Sequence, residues 1–151
     1  MNSLSSLRNI IFDFGGVILN IDYQRTEDAF KQLGIKDFAE IYSQAEQKKL
    51  FDDLETGRIG AAQFRDSIRS LAGPVSDSLI DQAWNAMLLD LPEERIGLLE
   101  LLGRKYRIFL LSNTNAIHYD SFAAYMKNKF KRDIFKEVFE KAYLSFEIGM
   151  R

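Results

Sequence analysis

The chain of 151 residues is 46% apolar and 28% charged, the balance of an ordinary folded protein long enough for one sizeable core. A net charge of −2 argues against nucleic acid as the main partner, and the lack of cysteine excludes disulfides and thiolate metal sites. The N-terminal apolar run is broken by Asp13, too early for a signal peptide or a membrane span, so a cytoplasmic protein without a membrane partner is expected.

Asn9–Leu19 reads NIIFDFGGVIL. Ile10, Ile11 and Phe12 form a short apolar run that Asp13 ends and Gly15-Gly16 turn, the pattern of a buried strand feeding a tight loop. Such a carboxylate stands where open α/β sheets bind ligands, and paired glycines let backbone amides approach an anion. The plainer reading is a strand-ending Asp before a glycine turn. From Asn20 to about Leu91 the periodicity is helical. Asp22 is placed to cap a helix with Tyr23, Phe30 and Leu33 inward and Gly34 at its end. Asp37 and Glu40 resemble a capping box ahead of Phe38, Ile41, Tyr42 and Ala45. Leu50, Phe51 and Leu54 lead to Gly57, and Phe64, Ile68 and Leu71 lead to Gly73-Pro74. Ser76 caps Asp77–Leu88, whose inward face holds Leu79, Ile80, Ala83, Trp84 and Met87. These stripes predict the inside of a small helical bundle.

Leu91-Pro92-Glu93-Glu94 starts another helix, with proline near the first turn and acids at the positive end. Ile96, Leu99 and Leu102 face inward and Gly103 closes it. Arg107–Ser112, RIFLLS, is a second predicted strand. Asn113-Thr114-Asn115 suit the cap of a helix from Ala116 to about Lys129, and Ala142–Ser145 is a third predicted strand. This order predicts an α/β fold, a parallel sheet interrupted after its first strand. The carboxyl ends of parallel strands share one edge, so Asp13 would face Ser112 and a helix N-terminus whose amides favour phosphate. A carboxylate so placed can attack phosphorus to form an aspartyl-phosphate, and it offers oxygen to Mg²⁺.

FDFGGVI at Phe12–Ile18, LLSNTN at Leu110–Asn115 and GMR at Gly149–Arg151 resemble the haloacid dehalogenase-like phosphohydrolases. The likeness is strongest to the small helical-cap branch that includes α-D-glucose-1-phosphate phosphatases. LETGRI at Leu54–Ile59 is similar to a cap segment of that branch. The resemblance implies a Rossmann-like core over residues 1–19 and 92–151 and a helical cap over residues 20–91. It implies Asp13 as nucleophile and Mg²⁺ ligand, Gly15 lending its backbone carbonyl to the metal, and Ser112 with the Asn113 amide binding the phosphoryl group. The implied activity is Mg²⁺-dependent hydrolysis of a small phosphorylated metabolite, such as a sugar phosphate.

Two departures stand out. The family's second Asp, its general acid/base, corresponds here to Gly15. Some members of the branch also carry glycine there, so altered chemistry is expected. The family's lysine would fall directly after Arg151 and its acidic pair further on, so Arg151 is not given the lysine's role. The expectation is a gene product that continues past Arg151, with the sheet and the site incomplete and poorly active here, or a chain that associates to cover the apolar edge of Ile10–Phe14.

Other residues are weighed on their own. His118, the single histidine, falls in the first turn after the second motif, with a site role set against an exposed or capping one. Asp22 is a stand-in acid or a plain N-cap. Asp52-Asp53 and Glu55 read as a solvated face, Lys127–Arg132 as a helix end, and Trp84 as core or as an aromatic lining a pocket. Two rival functions remain: a non-catalytic member binding a phosphorylated ligand or a partner protein, and a phosphotransferase or mutase. Gly15 counts against the mutase, because transfer between sugar hydroxyls needs an acid/base.

Overall fold

The computed structural model of the chain describes residues 7–35, 38 and 45–151. Three parallel strands form one sheet in the order β1-β2-β3. β1 (Asn9–Phe12) pairs with β2 (Arg107–Ser112), setting Phe12 against Leu110. β2 pairs with β3 (Lys141–Leu144), setting Ser112 against Leu144. Alternation decides the faces: Ile108, Leu110 and Ser112 are buried, while Arg107 and Leu111 are exposed. The predicted third strand is shifted by one residue, because Ser145 leaves the ladder and opens a short helix.

Between β1 and β2 run α1 (Tyr23–Gln32), α2 (Ala45–Glu55), α3 (Ala61–Ala72), α4 (Asp77–Asn85) and α5 (Glu93–Gly103). Asp22 accepts a hydrogen bond from the Gln24 amide, and Ser76 accepts one from Leu79, so both predicted caps form. α1 is closed by Gly34 and α3 by Gly73, both at positive φ. Phe30, Phe51, Phe64, Ile68, Ile80 and Trp84 gather in one apolar cluster, as the stripes predict. Arg65 clamps Asp81 through two hydrogen bonds of 2.9 and 2.7 Å and so ties α3 to α4. Tyr23, Leu71 and Leu79 are exposed instead of inward, at the margins of narrower apolar faces. The capping box at Asp37 and Glu40 lies outside the described residues.

α4 ends at Asn85, short of the predicted Leu88, because the chain there turns back along the segment that enters the helices. Asp22 N–H donates to Met87 O, Leu89 N–H to Asn20 O and Asn20 N–H to Asp90 O, a short antiparallel ribbon. The two ends of the helical insert are thereby tied together. After β2 come α6 (Ala116–Phe130), α7 (Ile134–Val138), β3 and α8 (Ser145–Ile148). α7, which periodicity does not show, is a five-residue helix capped by Asp133. A second apolar cluster packs Phe14, Leu19, Leu99, Leu110, Phe122 and Phe135 around the sheet. Ile117 of α6 belongs to the helical cluster instead, so the two clusters meet along α6. No helix among the described residues is long and apolar enough to cross a membrane.

Candidate active site

The site begins where β1 stops. Phe14 is buried against Phe122 and Phe135, with ring centroids 4.8 and 5.1 Å away, and this anchors the strand end. Its neighbour Asp13 stays exposed and accepts a 2.6 Å hydrogen bond from the Phe14 amide. The next residues fold into a tight turn. The Ile18 and Leu19 amides donate to Phe14 O at 2.8 and 2.9 Å, and Gly16 N–H donates to Leu19 O at 2.8 Å. Gly16 sits at φ +76, which favours glycine, whereas Gly15 does not, and a Cβ at Gly15 would meet Ile21 only at 3.6 Å. Glycine at position 15 is therefore a chemical choice and not a steric requirement.

The end of β2 supplies the opposite wall. Ser112 and Thr114 are buried and Asn113 is exposed. Thr114 N–H donates to Ser145 Oγ, which donates in turn to Thr114 O, both at 2.8 Å. This exchange locks the loop after β2 to the end of β3. Asn115 caps α6 by accepting from the His118 amide at 3.0 Å and also takes Trp84 Nε1–H at 3.4 Å. α6 is fifteen residues long, so its capped N-terminus presents partial positive charge beside Ser112 and Asn113.

These walls enclose a cavity of about 220 Å³ lined by Asp13, Gly15, Ser112 and Asn113. Tyr23, Trp84 and Met87 line it from the helical insert. The expected meeting of Asp13 with Ser112 and Asn113 around one space is thus present. Asp22 is not among the lining residues; its carboxylate is held by the Gln24 amide at 3.1 Å and by Arg25 at 3.5 Å. His118 does line the cavity, but it is buried, not exposed, because Trp84 covers its ring. Desolvation pushes its pKa down to about 3, so the imidazole is neutral near pH 7.

Two lining residues escape the sequence reading. Glu55 is not on a solvated face: it closes α2 and reaches the cavity. Burial raises its carboxyl pKa, Arg151 opposes the rise and Asp52 adds to it. Arg151 also lines the cavity, with Nε 3.0 Å from Glu55 Oε2, an ion pair without hydrogen-bond geometry, and with Nη1 on Asp52. The acidic spacing of Asp52 and Glu55 is a signal only once a basic partner is known. Among the described residues no three His, Asp or Glu side chains gather for a metal. The oxygen donors at the mouth of the turn are the Asp13 carboxylate and the Gly15 carbonyl, which takes no part in the turn's hydrogen bonds. That sparse, hard-oxygen set fits Mg²⁺, which keeps several waters and takes phosphate oxygen.

No protein-family model matches the sequence. The chain is 31% identical over 144 residues to a D-ribitol-5-phosphate phosphatase of Bacteroides thetaiotaomicron, covering 95% of this chain and 69% of that protein. It superposes with a TM-score of 0.85 on a HAD family enzyme from Bacteroides thetaiotaomicron solved with magnesium and inorganic phosphate. Identity there is 40%, covering 97% of this chain and 72% of that one. A predicted HAD-like hydrolase from Porphyromonas gingivalis gives a TM-score of 0.82 at 30% identity, over 96% and 69% of the two chains. Likeness of this length and closeness reaches beyond the shared sheet to the loops and the helical insert, and the chain belongs to the haloacid dehalogenase-like (HAD) phosphatase family.

Proposed function

We propose that the protein hydrolyses a small sugar or polyol phosphate, with Asp13 as nucleophile and Mg²⁺ as cofactor. The observation that carries this reading is the shared cavity of Asp13, Ser112 and Asn113 at the sheet's carboxyl edge. The relative that acts on D-ribitol 5-phosphate supports the substrate class, and the neighbour solved with magnesium and phosphate supports the cofactor. In this reading residues 1–19 and 92–151 form the catalytic core, and residues 20–91 form a cap that contributes Tyr23, Glu55 and Trp84 to the pocket. Its net charge of −2 and a small anionic substrate suit work in the cytoplasm without a nucleic-acid partner.

The chemistry follows from the groups. An Asp13 oxygen attacks phosphorus, the bond to the sugar oxygen breaks, and an aspartyl-phosphate forms that water then cleaves. Ser112 and the Asn113 amide, with the α6 N-terminus, hold the phosphoryl oxygens in place. Asp13 and the Gly15 carbonyl would hold Mg²⁺, which when bound offsets the charge of the phosphoryl oxygens. Gly15 has no proton to give, Asp22 lies outside the cavity, and His118 is neutral. Besides Asp13, the described carboxyl that lines the cavity is Glu55, whose pKa burial raises against the opposing Arg151, so Glu55 is the candidate to protonate the departing oxygen.

The test is phosphate release from D-ribitol 5-phosphate with Mg²⁺, for the wild type and for Asp13→Asn. Uncatalysed monoester hydrolysis is so slow, with enzymatic accelerations reaching ~10²¹-fold, that losing the nucleophile should leave no measurable turnover. Activity of the Asp13→Asn variant within tenfold of the wild type, on the order of 1.4 kcal/mol, would remove Asp13 from this role.

A further inference from the structure

His118 is the single histidine of the chain, and α4 holds it from two sides. The Trp84 ring stacks on it at 4.8 Å between centroids and 14° between planes. Asn85 Oδ1 lies 2.8 Å from its Nδ1. An amide oxygen only accepts, so Nδ1 carries the ring proton and Nε2 keeps a bare lone pair. His118 is 7% exposed and lines the cavity that also contains Asp13 and Ser112. Among the described residues, the fully buried side-chain atoms without a partner are Glu55 Oε2 and Asn115 Nδ2. Nε2 is not one of them and has no hydrogen-bond donor among the described residues, and His118 lines the cavity, so the lone pair is left for a ligand there.

We propose that His118 Nε2 accepts a hydrogen bond from a hydroxyl on the carbon chain of the substrate, which makes His118 a specificity-determining residue for phosphates whose carbon chain carries hydroxyls and no second charged group. This rests on the phosphatase reading and adds which part of the substrate is recognised, and by what. A neutral acceptor cannot pair with a second anionic group, so a carboxylate or second phosphate at this place is refused. The stack on Trp84 and the bond to Asn85 fix the ring's plane, so the acceptor has one direction. A lone pair left unmatched on a half-dry wall is unfavourable, and a hydroxyl proton relieves it. Trp84 and Met87 beside it offer apolar surface to the C–H face of the same carbon chain.

The experiment uses the single histidine as its own probe. Nitrogen NMR of the labelled imidazole at neutral pH should show one neutral tautomer, protonated at Nδ1. A five-carbon polyol phosphate should move the Nε2 resonance, and inorganic phosphate alone should leave it in place. A cationic ring, an Nε2–H tautomer, or an unmoved Nε2 at saturating polyol phosphate overturns the proposal. In turnover, His118→Phe keeps the stack and should lose about tenfold in kcat/KM on the polyol phosphate, mostly through KM. Phenyl phosphate, which has no hydroxyl to offer, should stay within about twofold of wild type, and His118→Gln should recover part of the polyol activity. Equal losses on both substrates would make the role structural and overturn the proposal. If the wild type turns over neither phosphate, the phosphatase reading falls, and the NMR titration alone decides on His118.

Discussion

At the scale of single residues, position 15 holds glycine where the resemblance implies an acid/base Asp. Its glycine is required neither by φ nor by space, since a Cβ would stand 3.6 Å from Ile21. Gly15→Asp is therefore expected to fold with unfolding midpoints close to wild type. The wild type should favour aryl over alkyl phosphates in kcat/KM, because a good leaving oxygen departs without a proton. Gly15→Asp should narrow that preference by raising the alkyl rate. If the wild type treats both alike, Glu55→Gln should slow the alkyl ester selectively, since Glu55 is the cavity carboxyl whose pKa burial raises. His118 makes a prediction about stability. Its folded pKa is lowered from 6.5 to about 3, so between these values the unfolded chain binds one more proton. Stability from this group is full above pH 6.5 and is lost as pH falls, at about 1.4 kcal/mol per pH unit. Denaturant melts of wild type and His118→Phe from pH 4 to pH 8 should differ by that slope below about 6.5 and run parallel above it.

At the scale of elements, the contact between the insert and the C-terminal segment turns on Gly57, just after α2. It sits at φ +67, and a Cβ there would come within 2.3 Å of the Phe146 carbonyl oxygen. Gly57→Ala must both strain the backbone and push α8 away, so a loss of about 2–4 kcal/mol is expected in urea unfolding. Gly97 is the control. It lies inside α5 with nothing within 4 Å of an added Cβ, and Gly97→Ala should gain about 0.5–1 kcal/mol. Equal effects at the two positions would mean that the close approach at Phe146 is not maintained. Displacement of α8 should also loosen Ser145, whose hydroxyl holds Thr114 beside the cavity, so Gly57→Ala is expected to raise KM as well.

At the scale of the whole molecule, two apolar clusters share α6. The helical stripes suggest an insert with a core of its own, and removal of residues 20–91 would then leave a folding sheet domain. Ile117 and His118 qualify that expectation, because Ile117 packs into the helical cluster and Trp84 covers His118. A deletion of residues 20–91 closed by a short linker is expected to fold only marginally. Replacing Ile117 by a polar residue in the same variant should improve its solubility, as measured by light scattering. The sheet raises a related point. β1 pairs with β2 alone among the described residues, and Ile11 and Leu111 are 65% and 50% exposed. Parallel strands are normally covered on both faces, so self-association at high concentration is expected, and Ile11→Lys should reduce it.

What the sequence determined by itself is local. Asp22, Ser76 and Asn115 cap helices because a capping bond spans two or three residues and needs nothing distant. Asp13 and Ser112 fall at strand ends because an apolar run stops there, and parallel pairing then brings both ends to one edge. Tertiary structure decided the rest of the pocket. Trp84 meets Asn115 across 31 positions, His118 meets Asn85 across 33, and Glu55 meets an arginine at the far end of the chain. The antiparallel ribbon of residues 20–22 with 87–90 likewise ended α4 before its periodicity did. A periodic pattern records which face of an element is apolar, but not which other element will cover it. Burial, and with it the neutral His118 and the raised Glu55, exists only after that choice has been made.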